Sequence, residues 1–99
     1  MSTSKLPNYT FEEKYWSLHG RALAHPARIK ILKLLSEYPN ITATDLRKEI
    51  NLSQSATSNH LRCLIDAKLI SEIYTPHKYL LQINKEIFGH FQTFMKSLV

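Results

Sequence analysis

Thr42-Ala-Thr-Asp-Leu-Arg-Lys-Glu-Ile-Asn-Leu-Ser-Gln-Ser-Ala-Thr-Ser-Asn-His-Leu-Arg-Cys-Leu-Ile-Asp-Ala-Lys68 decides the fold of this chain. Thr42 stands three residues before Asp45, an acidic variant of the capping-box spacing, so a short helix opens there and runs through Ile50. Leu46 and Ile50, at i and i+4, give that helix a single buried edge. Asn51-Leu52 makes a tight turn, and Ser53 is a good N-cap for a longer helix running to about Lys68. Two helices joined by so short a turn have the spacing of a helix-turn-helix.

The second helix has two unlike faces. With Leu61 at the centre of the buried side and about 100° per residue, Thr57, Leu64, Ile65 and the stem of Lys68 fall within about 60° of it. Ser55, Asn59, Arg62 and Asp66 cluster on the far side, with Ser58 at the border and Gln54 in the first turn. That outer face is uncharged at its start and rich in amides and hydroxyls. Such groups pair with base edges in a major groove, and an arginine suits guanine or phosphate. The first amides of the helix can also hold a phosphate. A merely solvated helix face carries the same residue types, so the flanking elements have to decide between the two readings.

Downstream, the period changes from helical to alternating. Leu69, Ile70, Ile73 and Tyr74 form one strand, and Tyr79, Leu80, Leu81 and Ile83 form another. Thr75-Pro76-His77-Lys78 lies between them, with proline at the second position of a turn, which makes a β-hairpin. Asn84 caps a last helix in which Ile87, Phe91, Phe94 and Leu98 repeat at i, i+4, i+7 and i+11, with Phe88 and Met95 widening the stripe. Upstream, Pro26 suits the first turn of a strongly apolar helix carrying Ile29, Ile31, Leu32, Leu34 and Leu35, which Tyr38-Pro39-Asn40 ends. Before it, Thr10 and Glu13 have capping-box spacing, and Phe11, Tyr15, Leu18 and Ala22 share one face, with Trp16 off the main stripe. The order ααααββα, a helix-turn-helix followed at once by a hairpin, is a winged helix-turn-helix: mainly α with one β-hairpin. Residues 1–9 are expected to be a flexible tail and residues 10–99 one domain, with terminal helices over about 10–23 and 85–98.

Composition narrows the function. The 99 residues carry 43% apolar side chains, enough for a core, and a net charge of +5 with a pI near 9.5. A basic balance in so short a chain favours a polyanionic partner. Four of the positive residues, Arg21, Arg28, Lys30 and Lys33, fall between Lys14 and Ser36 without an acid among them. The single cysteine rules out an internal disulfide framework and fits a reducing cytoplasm. No signal peptide is visible at the start, and no apolar run approaches the ~20 residues a membrane helix needs. Two glycines leave no glycine-rich phosphate loop, and the scattered histidines stand with no nucleophile at a catalytic spacing. Neither an enzyme nor a bound cofactor is expected.

Two stretches carry a family resemblance. Ala22-Leu-Ala-His-Pro-Ala-Arg-Ile-Lys-Ile-Leu-Lys-Leu-Leu35 looks like the opening of ArsR/SmtB-type winged-helix repressors, and Leu52-Ser-Gln-Ser-Ala-Thr-Ser-Asn-His-Leu-Arg-Cys-Leu64 resembles their recognition helix. The similarity runs from about Ala22 to Ile83. It implies a homodimer whose terminal helices build the interface, through Phe11, Tyr15 and Leu18 at one end and Ile87, Phe91, Phe94 and Leu98 at the other. It also implies that Gln54, Ser55, Ser58 and Asn59 face the major groove, joined by Arg62, and that the hairpin is a wing reaching DNA with His77 and Lys78. The expected partner is double-stranded operator DNA, an inverted repeat with half-sites roughly one turn apart (~34 Å). Where the family often has histidine this chain has Asn59, and its wing tip lacks the usual glycine and arginine.

Metal-responsive members carry cysteines at the start of the third helix, where this chain has Thr42 and Thr44. The ligands of a second family site are likewise missing from Asn84-Lys-Glu-Ile87 and Lys96-Ser-Leu-Val99. Glu86 and His90 read as a surface pair rather than a metal site shared with His19. Cys63 reads as a small half-buried residue rather than a redox switch, and His60 as a structural hydrogen-bonding group. No metal is expected, and the sequence names no effector. The competing reading is a winged helix that serves as a protein–protein module, with the polar face unused.

Overall fold

The computed structural model describes residues 8–99. The tail expected over residues 1–9 lies, apart from Asn8 and Tyr9, outside the described residues. In chain order the elements are α1 (Phe11–Ala22), α2 (Pro26–Glu37), α3 (Ala43–Ile50), α4 (Gln54–Asp66), β1 (Ile70–Tyr74), β2 (Tyr79–Ile83) and α5 (Lys85–Ser97). This is the winged helix-turn-helix order ααααββα.

Each helix starts where a side chain can satisfy its first amides. Thr10 Oγ1 accepts from the Glu13 amide while Glu13 Oε1 accepts from the Thr10 amide, both at 3.0 Å, a complete capping box. Thr42, Ser53 and Asn84 accept from Asp45, Ala56 and Ile87 respectively. His25 caps α2 with Nδ1 accepting from the Ala27 amide at 3.0 Å, ahead of Pro26 in the first turn. The turn between α3 and α4 passes through Asn51 in the left-handed region, at φ 59°, which asparagine tolerates better than most residues.

The core lies between α2, α3, α4 and the hairpin. Ile31, Leu46, Leu64, Leu69, Ile70 and Leu81 are all but fully buried, each worth roughly 1.5–3 kcal/mol of transfer free energy. The strands pair antiparallel with Ile70 opposite Ile83 and Tyr74 opposite Tyr79, and a bridge from Thr42 to Leu80 ties the start of α3 to the wing. The turn is closed by Thr75, whose amide donates to the Lys78 carbonyl at 2.9 Å and whose Oγ1 accepts from the Lys78 amide at 2.9 Å.

The reading of the end of α4 needs correction. The recognition helix ends at Asp66 rather than Lys68, and Lys68 is exposed instead of lending its stem to the core. Lys68 takes a left-handed conformation at φ 61°; its amide donates to the Ile65 carbonyl and that of Leu69 to Leu64, a Schellman ending formed without glycine. In α1, of the face shared by Phe11, Tyr15, Leu18 and Ala22 only Ala22 belongs to the chain's own core, which leaves the interface expected of the others open. Phe11 is 80% and Leu18 54% exposed. The inward surface of α1 is instead set by Trp16 and His19. Trp16 stacks on Phe91 and Phe94 of α5 at 5.3 and 5.5 Å between ring centroids, and His19 is buried beside it with Nδ1 2.9 Å from the Tyr15 carbonyl.

Candidate nucleic-acid interface

Helix α4 is anchored by one face. Leu61 and Leu64 enter the core with Thr57, which is completely buried, as the helical wheel requires. The opposite face is open: Gln54, Ser55, Ser58, Asn59 and Arg62 are all exposed. Ser55, Ala56, Ser58, Asn59 and Arg62 line one shallow hollow along the helix. Ser53 Oγ is committed to the Ala56 amide at 3.1 Å and so holds the helix end, with the Ser55 hydroxyl 3.4 Å away from it. The outer row therefore presents hydroxyls and amides on a helix fixed by its buried side, the arrangement that groove reading needs.

Arg62 is less free than its neighbours. Its guanidinium lies 4.0 Å from Asp66 one turn along, both side chains being largely exposed. Its charge also reaches the wing, where it helps hold the Glu72 carboxyl below the usual carboxylate range. The main cause of that lowering is the Tyr79 hydroxyl, then the Tyr74 hydroxyl, both of which donate to Glu72 Oε2. Burial, then the bond to Glu72, pushes the Tyr79 phenol well above its ordinary value. The turn end of the wing thus carries a carboxylate clamped by two tyrosines. His77 and Lys78 stand exposed at the turn beyond it.

Composition and motif left this clamp unnoticed. Glu72 and Tyr74 lie on one strand and Tyr79 on the next, and only the register brings them together. A second arrangement was also missed. Arg28 of α2 donates from Nε to His60 Nδ1 at 3.1 Å and from Nη1 toward the Arg21 and Ala22 carbonyls at 3.3 and 3.4 Å. His60 thus makes a structural hydrogen bond, to a partner 32 positions away that no short spacing announces.

Other residues weighed for chemistry stand apart. His19 is buried in the aromatic packing between α1 and α5, whereas Glu86 and His90 are exposed on α5. Cys63 is half-buried with a free thiol. Among the described residues no three histidine, cysteine or acidic side chains gather as a metal site would require. No helix there is long and apolar enough to cross a membrane.

Of the residues expected at a dimer interface, Phe11, Leu18 and Leu98 are exposed, and Tyr15, Ile87, Phe91 and Phe94 are half-buried. No residue of α5 is fully buried. The terminal helices thus carry apolar surface that the chain itself leaves uncovered.

Comparison with known proteins places this geometry. Residues 25–72 match the family described as bacterial regulatory protein, arsR family, a segment running from the cap of α2 into β1 and containing the whole helix-turn-helix. The chain is 38% identical over 66 residues to the HTH-type transcriptional regulator YgaV of Escherichia coli, covering 67% of each. It is 31% identical over 70 residues to the arsenical resistance operon repressor of Staphylococcus xylosus, covering 71% of this chain and 66% of that one. This chain therefore spans about two thirds of the length of each of these relatives.

Among solved structures, an ArsR-like transcriptional regulator from Rhodococcus sp. RHA1 superposes with a TM-score of 0.81 at 16% identity, over 90% of this chain and 83% of that one. A homodimeric winged helix-turn-helix DNA-binding domain from Mycobacterium bovis does so at 0.68 and 17%, over 86% and 79%. At such identities the likeness concerns the fold. With the fold, the helix-turn-helix and the curated relatives in agreement, this chain belongs to the arsR family of bacterial regulatory proteins.

Proposed function

We propose that this chain is a sequence-specific DNA-binding transcriptional repressor that acts as a homodimer in the cytoplasm. The observation that carries this reading is the exposed, uncharged polar row Gln54, Ser55, Ser58 and Asn59 on a helix whose other face is locked into the core. Inserted into a major groove, Asn59 and Gln54 offer paired amides to adenine edges, and the serines bond to either base edges or phosphate. Arg62, already drawn toward Asp66 and Glu72, contributes mainly position and charge. His77 and Lys78 at the wing tip meet phosphate, as do the exposed Lys30 and Lys33 of α2.

The dimer is formed by α1 and α5, through Phe11, Tyr15, Leu18, Ile87, Phe91, Phe94 and Leu98. Support comes from the apolar surface left on those helices and from the homodimeric state named for the M. bovis domain. Repression, the role named for the S. xylosus relative, follows from two recognition helices occupying an operator and excluding polymerase. This reading asks for no catalytic group and no cofactor.

Light scattering and footprinting test it together. The expected result is the mass of two chains and two protected segments roughly one helical turn apart (~34 Å) on one face of the duplex. A monomer that leaves every duplex unprotected would favour the protein–protein module instead.

A further inference from the structure

The Arg28 guanidinium joins three helices. It bonds to the carbonyls of Arg21 and Ala22 at the end of α1, belongs to the first turn of α2, and donates to His60 on α4. Beside it His25 caps α2, and the His25 and His60 rings lie 4.4 Å apart between centroids. Both imidazoles use Nδ1 as an acceptor, from the Ala27 amide and from Arg28 Nε. Each neutral ring must then carry its proton on Nε2. A metal bound at Nε2 would force the proton onto Nδ1, against an N–H donor in both rings. The pair is therefore unsuited to share a metal, and another role is indicated.

We propose that the Arg28–His60 contact positions the recognition helix for operator binding, fixing α4 relative to the end of α1, and that it releases when the His60 ring gains a proton. The inference rests on the DNA-binding reading above. Its logic is steric and electrostatic. A protonated His60 has an N–H at both nitrogens, so Nδ1–H would point at Arg28 Nε–H, donor against donor and charge against charge. Arginine does not yield its own proton, so the contact breaks rather than inverts.

The groups acting on the ring are His25 and Arg28, both from the start of α2; neither α3 nor β1, which also pack on α4, adds a charged group that shifts it. Burial first, then His25 and Arg28, hold the ring below its ordinary value of 6.5. The docking is thus complete above that ordinary value and is lost as the pH falls past it and through the lowered folded value. Through α1, one of the proposed dimer helices, the same contact sets how two recognition helices of a dimer are spaced.

The test uses the duplex that the protein itself selects from a random 30-base-pair library, with a scrambled duplex as reference. The ratio of the two affinities cancels the general gain in phosphate attraction at low pH. For the native chain that ratio is expected to hold above the ordinary value of 6.5 and to fall severalfold as the pH is lowered from there through the lowered folded value. His60→Asn, which keeps an acceptor near the Nδ1 position and cannot be protonated, should hold the native pH 7.5 ratio across the range. Arg28→Gln and His60→Leu should lose about tenfold at every pH, the scale of a charge-assisted hydrogen bond, while their light-scattering mass stays unchanged. Nitrogen NMR of the His60 ring should show the proton on Nε2 at pH 7.5 in the native chain, and a mixture of tautomers in Arg28→Gln.

A His60→Asn profile that follows the native one, or native ratios in Arg28→Gln and His60→Leu, would overturn the proposal. A chain that selects no duplex would sink the DNA-binding reading, and with it the role in operator binding. The ring tautomer would then still report whether the contact exists.

Discussion

Tyr74 and Tyr79 face each other across the wing, their ring centroids 4.8 Å apart and planes 9° from parallel, and both hydroxyls donate to Glu72 Oε2, at 3.0 and 2.7 Å. The wing has neither glycine nor arginine at its tip, and this stacked pair at the last rung of the ladder stiffens it instead. Tyr79→Phe removes the shorter of the two bonds to Glu72, so its carboxyl should titrate closer to the ordinary value. In the native protein the clamp is complete above the ordinary carboxylate value of 4.5 and is lost as the pH falls through the lowered folded value. Amide NMR from pH 7 to 3 should show the Thr75–Lys78 signals moving at lower pH in the native chain than in Tyr79→Phe. Identical titrations in the two proteins would mean that the tyrosines do not hold the wing.

The reading of α4 separates base contacts from phosphate contacts. Asn59→Ala should relax preference at one base step by ~1–3 kcal/mol and leave binding to random duplex nearly unchanged. Lys78→Ala should weaken all duplexes alike and lower the slope of log affinity against log salt by about 1. Fluorescence anisotropy over a salt series distinguishes them, and equal losses on selected and random duplex for both variants would contradict the assignment.

Leu18 offers a cleaner test of the dimer than Phe91, because Phe91 also packs on Trp16 of its own chain while Leu18 is 54% exposed. Leu18→Asp removes little buried surface from the isolated chain, so a large effect is expected only through a partner. Light scattering should give half the native mass, with the far-ultraviolet circular dichroism of a folded winged helix. A variant that remains dimeric would move the interface away from α1.

Lys68 sits at φ 61°, where a side chain costs free energy that glycine does not. Lys68→Gly should therefore raise stability by roughly 1 kcal/mol, read as a higher midpoint in thermal unfolding. A lower midpoint would show that the lysine makes an offsetting contact.

These variants also mark what the sequence disclosed and what it withheld. Thr10, Pro26, Thr42, Ser53 and Asn84 each announce a helix start through chemistry acting within three residues, so every start was legible to within a residue. The end of α4 was not, because no glycine marks the left-handed residue and lysine gives no local signal for it. The polar and buried faces of α4 followed from helical period alone. The inward side of α1 did not, since Trp16 and His19 win that position by docking on Phe91, a partner at the far end of the chain. Arg28 and His60, 32 positions apart, and the Glu72 clamp belong to the same class: contacts made by packing and register, which no short spacing encodes.

Equilibrium affinity for a selected duplex and for a random duplex of equal length, both at ~150 mM salt, tests the central claim most directly. A sequence-reading dimer should bind its selected site at least about a thousandfold more tightly, with Asn59→Ala eroding that ratio. Equal affinities for the two duplexes would show that the polar row on α4 reads no sequence.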